Sequence, residues 1–163
     1  MTDKHPADKA ADTAALDAAR EAMIQRAAEL PFFKLIGLEV EDMRPGWSRT
    51  KIAYRHDLCQ PAQIMHGGII ATLIDTGIAY ALLLSDAYIN SEHSSLVSVD
   101  LRVKYLRPVS DGMIYCESTI PRMGRQIIHA ESVVKNEAGK EVARGDSIYM
   151  VVSRDRLRGE KKL

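Results

Sequence analysis

The sequence predicts an α+β fold in which an antiparallel sheet wraps around one long buried helix. Three observations predict it. Residues 67–85, GGIIATLIDTGIAYALLLS, form a run too long for an ordinary strand and rich in Ala and Leu, hence a helix. It is apolar around nearly its whole circumference, so protein must surround it on most sides. Downstream, Val97, Val99, Leu101, Val103 and Tyr105 alternate with Ser98, Asp100, Arg102 and Lys104, the period of two that marks a strand with one buried face. Segments 113–120, 126–135 and 141–152, rich in β-branched and aromatic residues, follow as further strands. Successive strands after a single long helix favour hairpins over alternating βαβ units.

The remaining elements follow in order. Residues 1–12 read as a solvated, disordered leader. Thr13 to Leu30 is rich in Ala, Glu, Arg and Gln, with Leu16, Met23, Ala27 and Leu30 at helical spacings, and Pro31 is expected to end that helix. Phe32 to Tyr54 reads as a hairpin turning at Arg44-Pro45-Gly46. Pro61 keeps the next stretch, RHDLCQPAQIM, in a loop. Asp86 to Ser95 is a second loop, and Asn136-Glu137-Ala138-Gly139 joins the last two strands. No internal repeat or linker divides the chain. Residues 1–30 are assigned to leader and N-terminal helix, 31–154 to one domain, and 155–163 to a polar tail.

Composition narrows the function. With 163 residues, 46% hydrophobic and 27% charged, the chain can bury a core of its own. Lys+Arg and Asp+Glu both number 22, a balance that argues against a dedicated nucleic-acid binder, which needs excess positive charge. A membrane span competes for residues 67–85, but the run is marginally short and carries Thr72, Asp75 and Thr76 near its middle. Cys59 and Cys116 form no disulfide framework, and the start shows neither secretory nor transit pattern, so a cytoplasmic location is expected. His5, His56, His66, His93 and His129 lack paired zinc spacing, and no glycine-rich phosphate loop occurs, so no metal or cofactor is expected. Cys59 reads as a small apolar filler rather than a nucleophile, and the methionines as core filler.

Asp75 is the one charged residue between Gly67 and Ser85. A carboxylate on a buried helix costs several kcal/mol unless it is partnered. It is either a structural Asp satisfied by backbone amides or an Arg, or a carboxylate kept partly dehydrated for its basicity or nucleophilicity. The residue alone leaves both readings open. His66-Gly67-Gly68 stands where the helix starts, so free N–H groups and the positive end of the helix dipole face outward. Glycines there let a carbonyl approach the backbone, where a developing oxyanion finds donors. His66 and Asp75 are nine residues apart, roughly 13 Å along a helix and on roughly opposite sides. If both are catalytic, the site combines Asp75 of one chain with the His66 loop of another, and the protein is an obligate dimer.

CQPAQIMHGGIIATLIDTGIAYAL followed by SVDLRVKYLRPVSDG resembles the hot-dog-fold acyl-CoA thioesterases, in particular the PaaI-like (4-hydroxybenzoyl-CoA thioesterase type II) branch, from about Phe33 to Val152. The resemblance implies a helix wrapped by a curved sheet, a homodimer that pairs into a homotetramer, and active sites at the dimer interface. It implies that Asp75 is the catalytic carboxylate, as nucleophile or as general base for water. It further implies that the Gly67 N–H polarises the thioester carbonyl, that Gln60 orients nucleophile or substrate, and that His66 lies near the thioester. Ser98, and more weakly Thr76, would help hold the attacking water. Gly68 would admit substrate, and Arg107 and Arg125 would meet the phosphates of CoA. The short Asp in place of Glu leaves room for a water and favours the general-base role. Ile78, Tyr80 and Leu82 are expected to line a pocket for a medium-chain or aromatic acyl group. The alternative is a non-catalytic acyl-CoA binding or sensing protein, which would gain nothing from a costly buried carboxylate.

Overall fold

The computed structural model describes residues 6–85, 88, 94–124 and 127–153. The leader is shorter than expected: helix α1 runs from Pro6 to Ala28. Proline suits the first helical position, where its missing N–H is not needed, and the Ala-rich stretch after it carries the helix onward. Pro31 likewise opens a helix rather than only closing one. Helix α2 (Pro31–Ile36) occupies the start of the expected hairpin, which is therefore confined to β1 (Leu38–Arg44) and β2 (Trp47–Ala53). Arg44 pairs with Trp47 across the two-residue turn Pro45-Gly46. Pro45 fixes a negative φ, and Gly46 takes φ +78°, which a type II turn requires.

A short 3-10 turn (His56–Leu58) leads into helix α3 (Gly67–Leu83), followed by β3 (Ser94–Tyr105), β4 (Met113–Met123), β5 (Ile127–Asn136) and β6 (Glu141–Ser153). The six strands form one antiparallel sheet in the order β1-β2-β4-β5-β6-β3. Helix α3 packs against every strand, as its all-round apolar surface demanded. Most of the expected second loop and the whole 155–163 tail lie outside the described residues. Among the described residues, no helix is long and apolar enough to cross a membrane.

Two close approaches seat α3. Beneath its middle the sheet presents small polar side chains, namely Ser48, Thr50, Cys116, Ser118 and Ser132, all buried. Ser48 Oγ donates to the Gly77 carbonyl at 2.6 Å, and the Ser118 and Ser132 hydroxyls pair at 2.7 Å. A Cβ on Gly77 would lie 2.5 Å from Ser118 Oγ, so only glycine lets the helix settle this deeply. On β6, a Cβ on Gly145 would lie 2.6 Å from a methyl carbon of Ile74. Helix and strand each give up a side chain to the other.

The third strand departs from the strict alternation in its sequence. A bulge lies between Ser98 and Asp100, where Ser98 pairs with Tyr149 and Asp100 with Ile148, leaving Val99 as the extra residue. Val99 is 58% exposed. One additional residue reverses the phase, so Ser98 faces the helix with Tyr149 instead of sharing the outer face of Arg102 and Lys104. Arg102 stays outside, paired with Asp100 and Asp146.

Gly77→Ala is expected to destabilise the protein by about 1–3 kcal/mol through overpacking against Ser118. Ser118→Ala added to it should restore part of the loss. Urea unfolding midpoints of the single and double variants check this.

Candidate active site

The start of α3 is held by its surroundings. The His66 N–H bonds to the Leu58 carbonyl at 2.9 Å and the Met65 N–H to the Val109 carbonyl at 2.8 Å. His66 caps the helix: its Nδ1 accepts from the Gly68 N–H at 2.9 Å. A neutral His66 in this arrangement carries its proton on Nε2. A Cβ on Gly68 would sit 2.9 Å from that Nδ1, so glycine is what admits the capping ring. The Ile69 N–H turns back to the His66 carbonyl at 2.9 Å. The Gly67 N–H then remains as the donor of this first turn with no acceptor among the described residues.

Tyr105, at the end of β3, covers Gly67 from outside. Its hydroxyl donates to the Gly67 carbonyl at 3.0 Å. Its ring would stand 3.1 Å from a Cβ at that position. Together Gln60, Met65, His66, Gly67, Tyr105 and Arg107 help line a cleft of about 530 Å³. Gln60 Oε1 accepts from the Ala62 N–H at 3.2 Å, and Arg107 Nη1 donates to the Glu141 carbonyl at 2.6 Å, which fixes a guanidinium on the rim.

Asp75 lies elsewhere. It is half-buried, eight residues beyond Gly67 and so roughly 12 Å along the helix. Among the described residues it pairs with no cation, and its carboxylate is met by a phenol. The Tyr149 hydroxyl stands 2.6 Å from Asp75 Oδ1 and 2.9 Å from the Asp75 backbone carbonyl. Tyr149 is 3% exposed. Burial first, and then the neighbouring carboxylate, push its hydroxyl well above the usual tyrosine range, while Ser98 pulls in the opposite direction. The phenol therefore keeps its proton and donates it. Thr76 is half-buried and points about 100° away from Asp75 around the helix.

The expected residues thus fall into two groups. Gln60, His66, Gly67, Gly68 and Arg107 surround the helix start, whereas Asp75, Ser98 and Thr76 cluster farther along. Arg125 lies outside the described residues. The expected acyl-pocket wall is corrected: Ile78 and Leu82 are wholly buried in the core, and Tyr80 packs against Phe33 with ring centroids 6.1 Å apart. They fill the interior because they lie on the buried face of α3, away from the half-buried stripe of Thr72, Asp75, Thr76 and Ala79, and the apolar lining of the cleft comes instead from Ile64, Met65, Ile70 and Leu106. Neither cysteine is poised as a nucleophile. Burial raises the Cys116 thiol to about 11, and Cys59 Sγ is engaged with the Arg55 carbonyl at 3.3 Å. Tyr105 and Tyr149 escaped the sequence reading, since an inward aromatic on a strand ordinarily means core.

Residues 62–143, just over half of the chain, match the thioesterase superfamily. The chain belongs to that superfamily. It is a thioester hydrolase with the hot-dog fold. Its relative SSO1253 of Saccharolobus solfataricus is 26% identical over 96 residues, which cover 59% of this chain and 61% of that protein, less than two thirds of its length. The medium/long-chain acyl-CoA thioesterase YigI of Escherichia coli is 24% identical over 135 residues, 75% of this chain and 86% of YigI. The crystal structure of thioesterase HI1161 from Haemophilus influenzae matches with a TM-score of 0.71 at 23% identity, over 82% of this chain and 90% of that one, which shows the fold. The superfamily match takes in His66, Gly67, Asp75 and Ser98 but stops short of Gln60 on one side and Tyr149 on the other.

Gly67→Ala in this hydrolase should push the Tyr105 ring away and disturb the free N–H. Thioester turnover is expected to fall by on the order of 10- to 100-fold, a fraction of what loss of an oxyanion donor costs. Tyr105→Phe, which keeps the ring, should cost less. Thiol release under subsaturating substrate measures both.

Proposed function

We propose that the protein hydrolyses acyl-CoA thioesters as a homodimer of the PaaI-like type, with Gly67 of one protomer and Asp75 of the other in each active site. The observation that carries this reading is the separation of the two groups on one rigid helix. The free N–H and the carboxylate are too far apart on α3 to meet at one carbonyl, and a helix does not fold back on itself.

The sheet offers a way to join them. Strand β3 is an edge strand, with Val99, Tyr105 and the adjoining Leu106 about half exposed. Antiparallel pairing of two β3 strands about Leu101 and Arg102 sets Ser98 of one protomer opposite Tyr105 of the other. Ser98 marks the Asp75 group, and Tyr105 covers Gly67. A two-fold axis there builds two composite sites at once. Two such dimers pairing into a homotetramer complete the assembly we assign.

In the reaction, the Gly67 N–H holds the thioester carbonyl oxygen, aided by the positive end of the helix dipole. Asp75 takes a proton from water, whose oxygen bonds to the carbonyl carbon. As the tetrahedral intermediate collapses, the C–S bond breaks and the proton passes to the departing thiolate. Gln60 and His66 line the approach, Ser98 and Thr76 support the water, Gly68 allows the substrate close to the backbone, and Arg107 faces the CoA phosphates. No cofactor enters this scheme. The apolar cleft lining suits a medium-chain or aromatic acyl group, and the name of YigI supports the aliphatic side of that choice. We assign the activity to the cytoplasm.

Asp75→Asn is expected to lower kcat by about 10²–10⁴-fold while substrate still binds. Mixing it in equal amounts with the Gly67→Ala protein should regenerate roughly a quarter of wild-type sites, since half of the dimers are mixed and each of these carries one intact composite site of its two. No recovery would overturn the shared site. A single turnover in heavy-oxygen water should put label directly into the acid product, whereas label in Asp75 would make it the nucleophile. Binding of acyl-CoAs without thiol release from any of them would favour the sensor.

A further inference from the structure

Tyr149 has no part in the scheme above, yet it is the residue that touches the Asp75 carboxylate. Its hydroxyl lies between two acceptors of the same residue, Oδ1 at 2.6 Å and the backbone carbonyl at 2.9 Å. One phenol proton serves one of them at full strength at a time. An ionised Oδ1 is the stronger acceptor, so the proton goes there while Asp75 is a carboxylate. Once Asp75 has taken up a proton, the same hydroxyl still has the helix carbonyl to bond. In neither state is a buried donor left without a partner.

The ring has no freedom to leave. Tyr149 is buried in β6, opposite Ser98 in the ladder, and four residues from Gly145, where Ile74 of α3 presses against the strand. The hydroxyl is therefore presented to Asp75 from a fixed direction.

From this geometry we infer that Tyr149 is a positioning residue that anchors Asp75 through Oδ1 and thereby makes Oδ2 the oxygen that reacts. The inference rests on the reading of Asp75 as the catalytic carboxylate. The clamp restricts rotation of the carboxylate, so Oδ2 is aimed in one direction rather than sampling several.

The test is the split between kcat and KM for thioester hydrolysis in Tyr149→Phe, with kcat counted per active site. There kcat should fall by about tenfold with KM changed less than about threefold, since aim is lost and binding is not. A purely structural tyrosine would lower the active fraction and leave kcat per active site where it was. Should Tyr149→Phe fail to fold, p-aminophenylalanine at position 149 keeps the shape with a weaker N–H donor, and kcat should fall severalfold with KM unchanged. A kcat per active site equal to wild type in a folded variant overturns the clamp, provided Asp75→Asn is inactive. Full turnover in Asp75→Asn would instead remove the reading of Asp75 itself.

Discussion

A carboxylate on a helix that touches six strands must find a partner, and here the partner is a phenol rather than a cation. The distinction governs what Asp75 can do. An arginine at that place would hold the carboxylate in a permanent ion pair and depress its basicity. A backbone nest would bind both oxygens. Tyr149 offers one proton to one oxygen, which offsets part of the cost of half-burying the carboxylate while leaving the second oxygen uncommitted. The short contact depends in turn on how deeply α3 lies in the sheet. That depth is set on either side of Asp75, by Ile74 against Gly145 and by Gly77 against Ser118.

Strand β3 ties this cluster to the cleft. Ser98 and Tyr105 are seven residues apart, so in a regular strand they would point to opposite faces. The bulge at Val99 supplies one extra residue and puts both on the face toward α3. Ser98 then lies with Tyr149 beside Asp75, and Tyr105 reaches Gly67. A local irregularity in the ladder is thus what gives a single strand access to both the start and the middle of the helix.

The parts legible in the sequence are those with an exclusive physical meaning. A long run apolar on all sides has no stable place except inside, so α3 and its lone charge could be read directly. Pro45-Gly46 and the Asn136 turn announce themselves through backbone preference. The His66-Gly67-Gly68 cluster was legible as a helix start, although the structure adds that His66 closes the first turn on itself and leaves only Gly67 open. What remained hidden has several physical causes at once. The bulge at Val99 leaves the alternating letters unchanged while reversing their faces. Ile78 and Leu82 are equally good as pocket wall or as core, and only the count of surrounding strands decides for core. Tyr149 looks like any inward aromatic until the helix opposite it is known to carry Asp75. Pro6 and Pro31 can end a helix or begin one, and proline alone does not say which.

The separation of Gly67 from Asp75 has a consequence for how such a chain can be an enzyme. A helix is stiff along its axis, so two groups roughly 12 Å apart on it stay apart through any thermal motion that leaves the fold intact. Loop closure could bridge the gap only by bringing in a third element, and the described loop near Gly67 is pinned by the Leu58 and Val109 carbonyls. A second copy meets no such obstacle. Were the composite site proposed above to form, each half would ride on a helix already locked into its own sheet, and the rigidity that separates the two groups within one protomer would set their spacing across the seam.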